Sequence, residues 1–223
     1  MTGPAQFAPK TAPKHAMSVD VEDYFQVWAL SSKISRDDWD DYTLRVEDNT
    51  KRILDLFDRT NTKATFFTLA WIAKRCPSLM VDIVNRGHEI GSHGIEHVKV
   101  FDQTRDEFFA DAGQAKKQLE DICGVPVTGY RAAGFSIDER TPWAFETLAQ
   151  LGYEYSSSLH PIAHDHYNMP DAPRHRHQPV AGSSFYEIPV ATVDAYGKRV
   201  SCAGGGWFRA APYGWSKHLL TKF

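Results

Sequence analysis

Residues 87–97 read GHEIGSHGIEH and gather three histidines into eleven positions. His93 and His97 are four residues apart, a spacing that on one helical turn puts both imidazoles on the same side, able to grip one ion. Far upstream, Asp20, Glu22 and Asp23 place three carboxylates in four residues. Such acids repel one another unless something positive sits between them. Imidazole nitrogens and carboxylate oxygens together form a donor set for one divalent ion, and that is the chemistry this spacing points to.

These side chains need elements to position them. Residues 15–22 (HAMSVDVE) alternate, with Met17, Val19 and Val21 on one face and Ser18, Asp20 and Glu22 on the other, so a first strand ends in acid. Apolar runs at 64–68 (KATFFT with its flanks), 89–92, 126–131, 153–157 and 185–190 read as five more strands. Helical spacing covers about 43–59, 69–75, 79–86 and 141–151, and Thr104 with Glu107 forms a capping box for a helix ending near Cys123. Gly87 suits the end of the helix before the histidine cluster. Residues 24–41 read as a loop with short helical pieces, and Gly204–Gly206 as a close approach or tight turn before a last helix from Pro212. Strands alternating with helices imply parallel pairing through crossover helices, with polar residues collected at strand C-termini.

The histidine stretch resembles the second motif of the polysaccharide deacetylases of carbohydrate esterase family 4: glycine, histidine, glutamate, a short apolar link, then H-x-x-x-H. Asp20 to Asp23 resemble that family's first motif, and YRAAGFS, around Arg131, Gly134 and Phe135, its third. The resemblance implies an α/β fold, a distorted (β/α) barrel of about seven repeats, binding zinc or another divalent metal ion. It implies that His93 and His97 are metal ligands, that Asp20 is the catalytic base and that Arg131 pairs with it. The first motif departs from the family, since D-V-E-D stands where two aspartates are usually adjacent. Strand parity favours Glu22 as the carboxylate ligand, while Asp23 reaches inward if the strand has already ended; both stay open. Tyr24, Gly134, Phe135 and His160 are the candidates for contact with substrate. The implied activity is removal of acetyl groups from N-acetylated sugars of a bacterial polysaccharide. The wider context (DVEDYF, RAAGFS, GGGWFR) resembles the subgroup found in exopolysaccharide loci associated with exosortases.

Other features bound this reading. The 223 residues, 42% of them hydrophobic, suit one large domain, and a net charge of −3 gives no reason to expect a nucleic-acid partner. Cys76, Cys123 and Cys202 form no metal or disulfide pattern. No apolar run is long enough to span a bilayer. Residues 1–14, rich in proline and alanine, read as a flexible tail without a signal region, which points to the cytoplasm, a periplasmic or membrane-peripheral place staying open. The family's C-terminal histidine acid has no counterpart on a strand, because His218 follows the helix-like PYGWSK. The domain, 15–223, is therefore expected to be C-terminally truncated, with His160, His164 or His166 as the substitute acid if it is not. Two rivals remain: a metal-independent allantoinase-like amidohydrolase of the same fold, and a catalytically silent sugar-binding or scaffold protein.

Overall fold

The computed structural model describes residues 15–164, 169–195 and 197–223. The proposed tail and His166 lie outside the described residues. Six parallel strands form one sheet: β1 Met17–Val21, β2 Ala64–Thr68, β3 Glu89–Ser92, β4 Gly129–Tyr130, β5 Tyr155–Ser156 and β6 Tyr186–Glu187. Their order in the sheet is their order in the chain. That singly wound order belongs to barrels rather than to doubly wound sheets. No pairing of β6 with β1 occurs among the described residues.

The crossovers are helical where the sequence is amphipathic. Helix α1 (Val46–Thr60) joins β1 to β2; α2 (Ala70–Arg75) and α3 (Pro77–Asn85) join β2 to β3. Pro77 opens α3 at a position whose N–H has no intrahelical partner anyway. Helix α4 (Arg105–Cys123) joins β3 to β4 and begins with both bonds of the Thr104–Glu107 capping box. Helix α5 (Trp143–Gln150) joins β4 to β5. The rings of Phe57 and Phe66 meet at 6.1 Å, and those of Phe108 and Tyr130 at 5.7 Å, so α1 and α4 cover the same face of the sheet. Fully buried Leu54, Leu79, Ile83, Ile90, Leu119 and Leu148 fill the layer between.

The opposite face is where the polar groups collect. Asp20, Phe67 and Gly91 lie abreast in register, as do Gly129 and Tyr155. Two aromatic rings occupy the space the glycines leave. A Cβ on Gly91 would stand 2.5 Å from the Phe67 ring, and one on Gly129 would stand 2.4 Å from Tyr155. Gly91 is therefore part of the histidine stretch for steric reasons, with no chemical role of its own.

Strands β4, β5 and β6 are shorter than the alternation suggested. Pairing nevertheless runs one residue further through Arg131 N–H to the Ser92 carbonyl and Ser157 N–H to the Tyr130 carbonyl. A hairpin not foreseen from the sequence follows: β7 (Thr192–Ala195) pairs antiparallel with β8 (Lys198–Ser201). Its register leaves a two-residue connection ending in Gly197 at φ +70°. The glycine run makes its turn at Gly204, φ +100°, and then enters helix α6 (Gly205–Ala210). Helix α7 (Tyr213–Lys222) ends the described chain.

Candidate metal centre

Alternation along β1 sends Ser18, Asp20 and Glu22 to the aromatic-filled face. Arg131, just past β4, meets two of them. Its Nη1 donates to Asp20 Oδ1 at 2.6 Å and its Nη2 to Ser18 Oγ at 2.9 Å. From the other side Nε donates to the Ser157 carbonyl at 3.0 Å and Nη2 to Ser157 Oγ at 2.8 Å. The guanidinium lies 4.2 Å from the Phe67 ring centroid. Burial would raise the Asp20 carboxyl, but the charge of Arg131, then His93, and the hydrogen bond from Arg131 hold it below the usual carboxylate range.

His93 is buried and its Nδ1 lies 2.8 Å from the Arg131 carbonyl oxygen. A carbonyl only accepts, so Nδ1 carries the proton and Nε2 the lone pair. Burial, the largest influence, lowers the affinity of His93 for a second proton and keeps the ring neutral. Glu22 Oε2 stands 2.9 Å from His97 Nε2 and 3.9 Å from His93 Nε2. One ligand atom from each of the three lies within 4.8 Å of the others. That Glu22 oxygen is buried and accepts no hydrogen bond from the described residues. A desolvated anionic oxygen facing an imidazole lone pair is a set of donors in want of a cation. Two nitrogens and one oxygen suit zinc or a similar divalent ion.

The loop between the histidines is not the helical turn that the spacing suggested. Residues 93–97 bend through Gly94 at φ +80° and His97 at φ +59°. The left-handed region is uncommon for a residue with a Cβ, and such strain gathers at functional sites. The surroundings hold the bend in place. The first N–H groups of α2 donate to it, Ala70 to the Gly94 carbonyl at 3.0 Å and Trp71 to the Ile95 carbonyl at 3.1 Å. From α4, Asp111 Oδ1 accepts from the Ile95 N–H at 3.3 Å. Burial pushes the Asp111 carboxyl up to about 6.

Asp23, the alternative carboxylate ligand, is placed elsewhere. Its Oδ1 accepts from Tyr24 N at 2.8 Å, and its Oδ2 accepts from Arg45 N at 2.6 Å and Val46 N at 2.9 Å. One buried carboxylate thus caps both a short 3-10 helix and α1. With both oxygens committed to backbone, Asp23 has none to turn toward the histidines. Tyr24 stays with Asp23's neighbours, its ring 4.6 Å from the Arg45 guanidinium and edge-on to Phe25.

Gly134 and Phe135 form a left-handed pair, φ +60° and +54°, just after Arg131. The Phe135 ring lies 5.6 Å from the Arg131 guanidinium and 5.4 Å from the His160 ring. His160 is buried, unlike the exposed His175 of the same loop. Its Nε2 is 2.9 Å from Ser201 Oγ, whose own proton goes to the Ala203 carbonyl at 2.7 Å, so His160 is the donor. Burial, then His164 and Arg131, lower its pKa to about 4. The ring is neutral near pH 7, with its N–H already given to Ser201.

Sequence reasoning missed the supports of Arg131. Ser158 Oγ accepts from Ala132 N at 2.9 Å, and Glu187 Oε1 accepts from Ser158 N at 2.9 Å and Leu159 N at 2.8 Å. The available signal was one acid, Glu187, inside the apolar run FYEIPV.

The chain is similar to known families and proteins. A polysaccharide deacetylase family profile matches residues 37–156, and a domain of unknown function, DUF3473, matches 157–223. Strands β5 and β6 belong to different matches yet pair in one sheet, and Asp20 and Glu22 precede the first match. A peptidoglycan-N-acetylglucosamine deacetylase of Bacillus cereus is 29% identical over 105 residues, 47% of each chain. A chitooligosaccharide deacetylase of Azorhizobium caulinodans is 32% identical over 114 residues, 51% of this chain and 50% of that one. The chain spans about half the length of these curated relatives. A Mycobacterium smegmatis structure assigned to the polysaccharide deacetylases superposes with TM-score 0.60 and 26% identity, covering 79% of this chain and 58% of that one. With the profile match extending over more than half of its length, the chain belongs to the polysaccharide deacetylase family.

Proposed function

We propose that this protein is a metal-dependent hydrolase that removes acetyl groups from N-acetylated sugars of a bacterial polysaccharide, in the manner its relatives' names describe. The observation that carries this reading is the Glu22–His93–His97 triad, with its buried oxygen, beside an ionised Asp20 held by Arg131. Zinc or another divalent ion held by the triad would supply Lewis acidity toward a water and the amide carbonyl. Asp20 takes the proton from the attacking water as its oxygen bonds to the carbonyl carbon. Arg131 orients the carboxylate and keeps its proton affinity low, so Asp20 gives the proton up readily to the departing amine as the C–N bond breaks. Acetate and the free amino sugar are the products. The DVEDYF, RAAGFS and GGGWFR segments favour an exopolysaccharide as the substrate.

The test is acetate release from N-acetylglucosamine tetramer by protein loaded with zinc, against chelated protein. Asp20→Asn is expected to keep its zinc and lose roughly 10²–10⁴ in rate. Loss of zinc from that variant would make Asp20 a ligand and overturn the division of roles.

A further inference from the structure

Lys99 lies two residues beyond His97 and is only 8% exposed. Its ammonium sits 4.0 Å from the centroid of the Trp28 ring and 5.2 Å from that of Phe101. Among the described residues no carboxylate comes within ion-pair distance of it. The stem is buried while the ammonium itself still reaches solvent, with no carboxylate of the described residues beside it. The neighbouring Arg140 has a partner: it forks onto Asp138 through Nε at 2.9 Å and Nη2 at 2.5 Å.

The location gives that cation a use. A Cβ on Gly134 would stand 3.9 Å from Lys99 Cε, so Lys99 bridges the loop that carries His97 and the loop that follows Arg131. Trp28, which flanks the ammonium, keeps 45% of its surface exposed. The exposed part of an indole packs against the apolar face of a sugar ring, and an ammonium is a donor only, with no capacity to accept. We propose that Trp28 and Lys99 form a subsite for an acidic sugar, its ring against the solvent-exposed part of the indole and its carboxylate on the ammonium, beside the loop that carries His97 to the metal centre. This rests on the deacetylase reading and adds that the polymer carries uronate-type residues.

Two probes separate the proposals. Hyaluronan tetrasaccharide alternates glucuronate with N-acetylglucosamine; N-acetylglucosamine tetramer carries no charge. Binding of each to the full chain is measured by calorimetry, and acetate release from each in parallel. The wild type is expected to favour the acidic probe, the more so at low salt. Lys99→Met, which keeps the packing on Trp28, is expected to cut that preference about tenfold, the size of one lost charge-assisted hydrogen bond. Lys99→Arg should restore part of it, and Trp28→Ala should weaken both probes. Equal affinity of the wild type for the two probes, or a preference unchanged in Lys99→Met, overturns the subsite. Charge-dependent binding without acetate release from either probe would sink the deacetylase reading and leave the subsite standing.

Discussion

The two halves of the sheet build their parts of the site by different means. Strands β1 and β2 pair along five residues and β2 and β3 along four, whereas β3 and β4 share one pair and β4–β5 and β5–β6 two each. The long ladders bring Asp20, Glu22 and His93 to the site by their register, and Arg131 then fixes the Asp20 carboxylate and the His93 ring. The short ones deliver Arg131 and His160 through side-chain bonds from Ser157, Ser158, Glu187 and Ser201. Ligands on a continuous ladder tolerate changes around them. An arginine held by a polar network depends on each member, because a buried N–H left without its acceptor costs the full desolvation penalty.

The largest effect should come from the ladder-borne side. His93→Ala is expected to lose both bound zinc and acetate release, measured on the same preparation, since no other imidazole joins the cluster among the described residues. If a His93→Ala/His97→Ala double variant kept one zinc per chain, the ions would have to be bound elsewhere.

Next in size comes the network. Glu187→Ala leaves the Ser158 and Leu159 N–H groups without their acceptor, at about 1–3 kcal/mol each, and frees the turn that holds Arg131. Turnover should fall about tenfold or more with zinc content unchanged, and Glu187→Gln should recover most of it by keeping one oxygen. Equal losses in both variants would show that the network does not position Arg131.

The Asp111 carboxyl tests the metal loop by pH. Its folded value of about 6 lies above the ordinary 3.8, so its contribution to stability is present below pH 4 and is lost as pH rises through 6. Denaturant unfolding across that window should show a fall of about 2 kcal/mol that Asp111→Asn flattens. An unchanged slope in the variant would assign the pH dependence to other groups.

The smallest effect belongs to Asp23. Asp23→Ala removes the cap shared by the 3-10 helix and α1 and should cost about 1–2 kcal/mol of stability while zinc content stays whole. Loss of zinc in a folded variant would return Asp23 to the ligand set.

Much of this arrangement was legible in the chain. Period-two alternation located β1 and the face shared by Ser18, Asp20 and Glu22, and the capping box located α4, because both signals are local. The bend at Gly94 and His97 was not legible, since four-residue spacing looks the same on a helix and on a loop pinned by α2. Glu187 and Ser158 were not legible either: their partners lie on other strands, and only the pairing of β5 with β6 brings them together. The β7–β8 hairpin was hidden by strands of four residues around a two-residue turn.

The glycine opposite Phe67 has a consequence for inheritance. Bulk at positions 67 and 91 is a single shared allowance, for one ring fills what the other position leaves empty. Gly91→Val alone would drive the ring upward against the guanidinium it supports, yet the same change paired with Phe67→Ala should be far milder. Lineages would then be free to trade size between the two positions, and a chain with a side chain at 91 would need a small residue at 67.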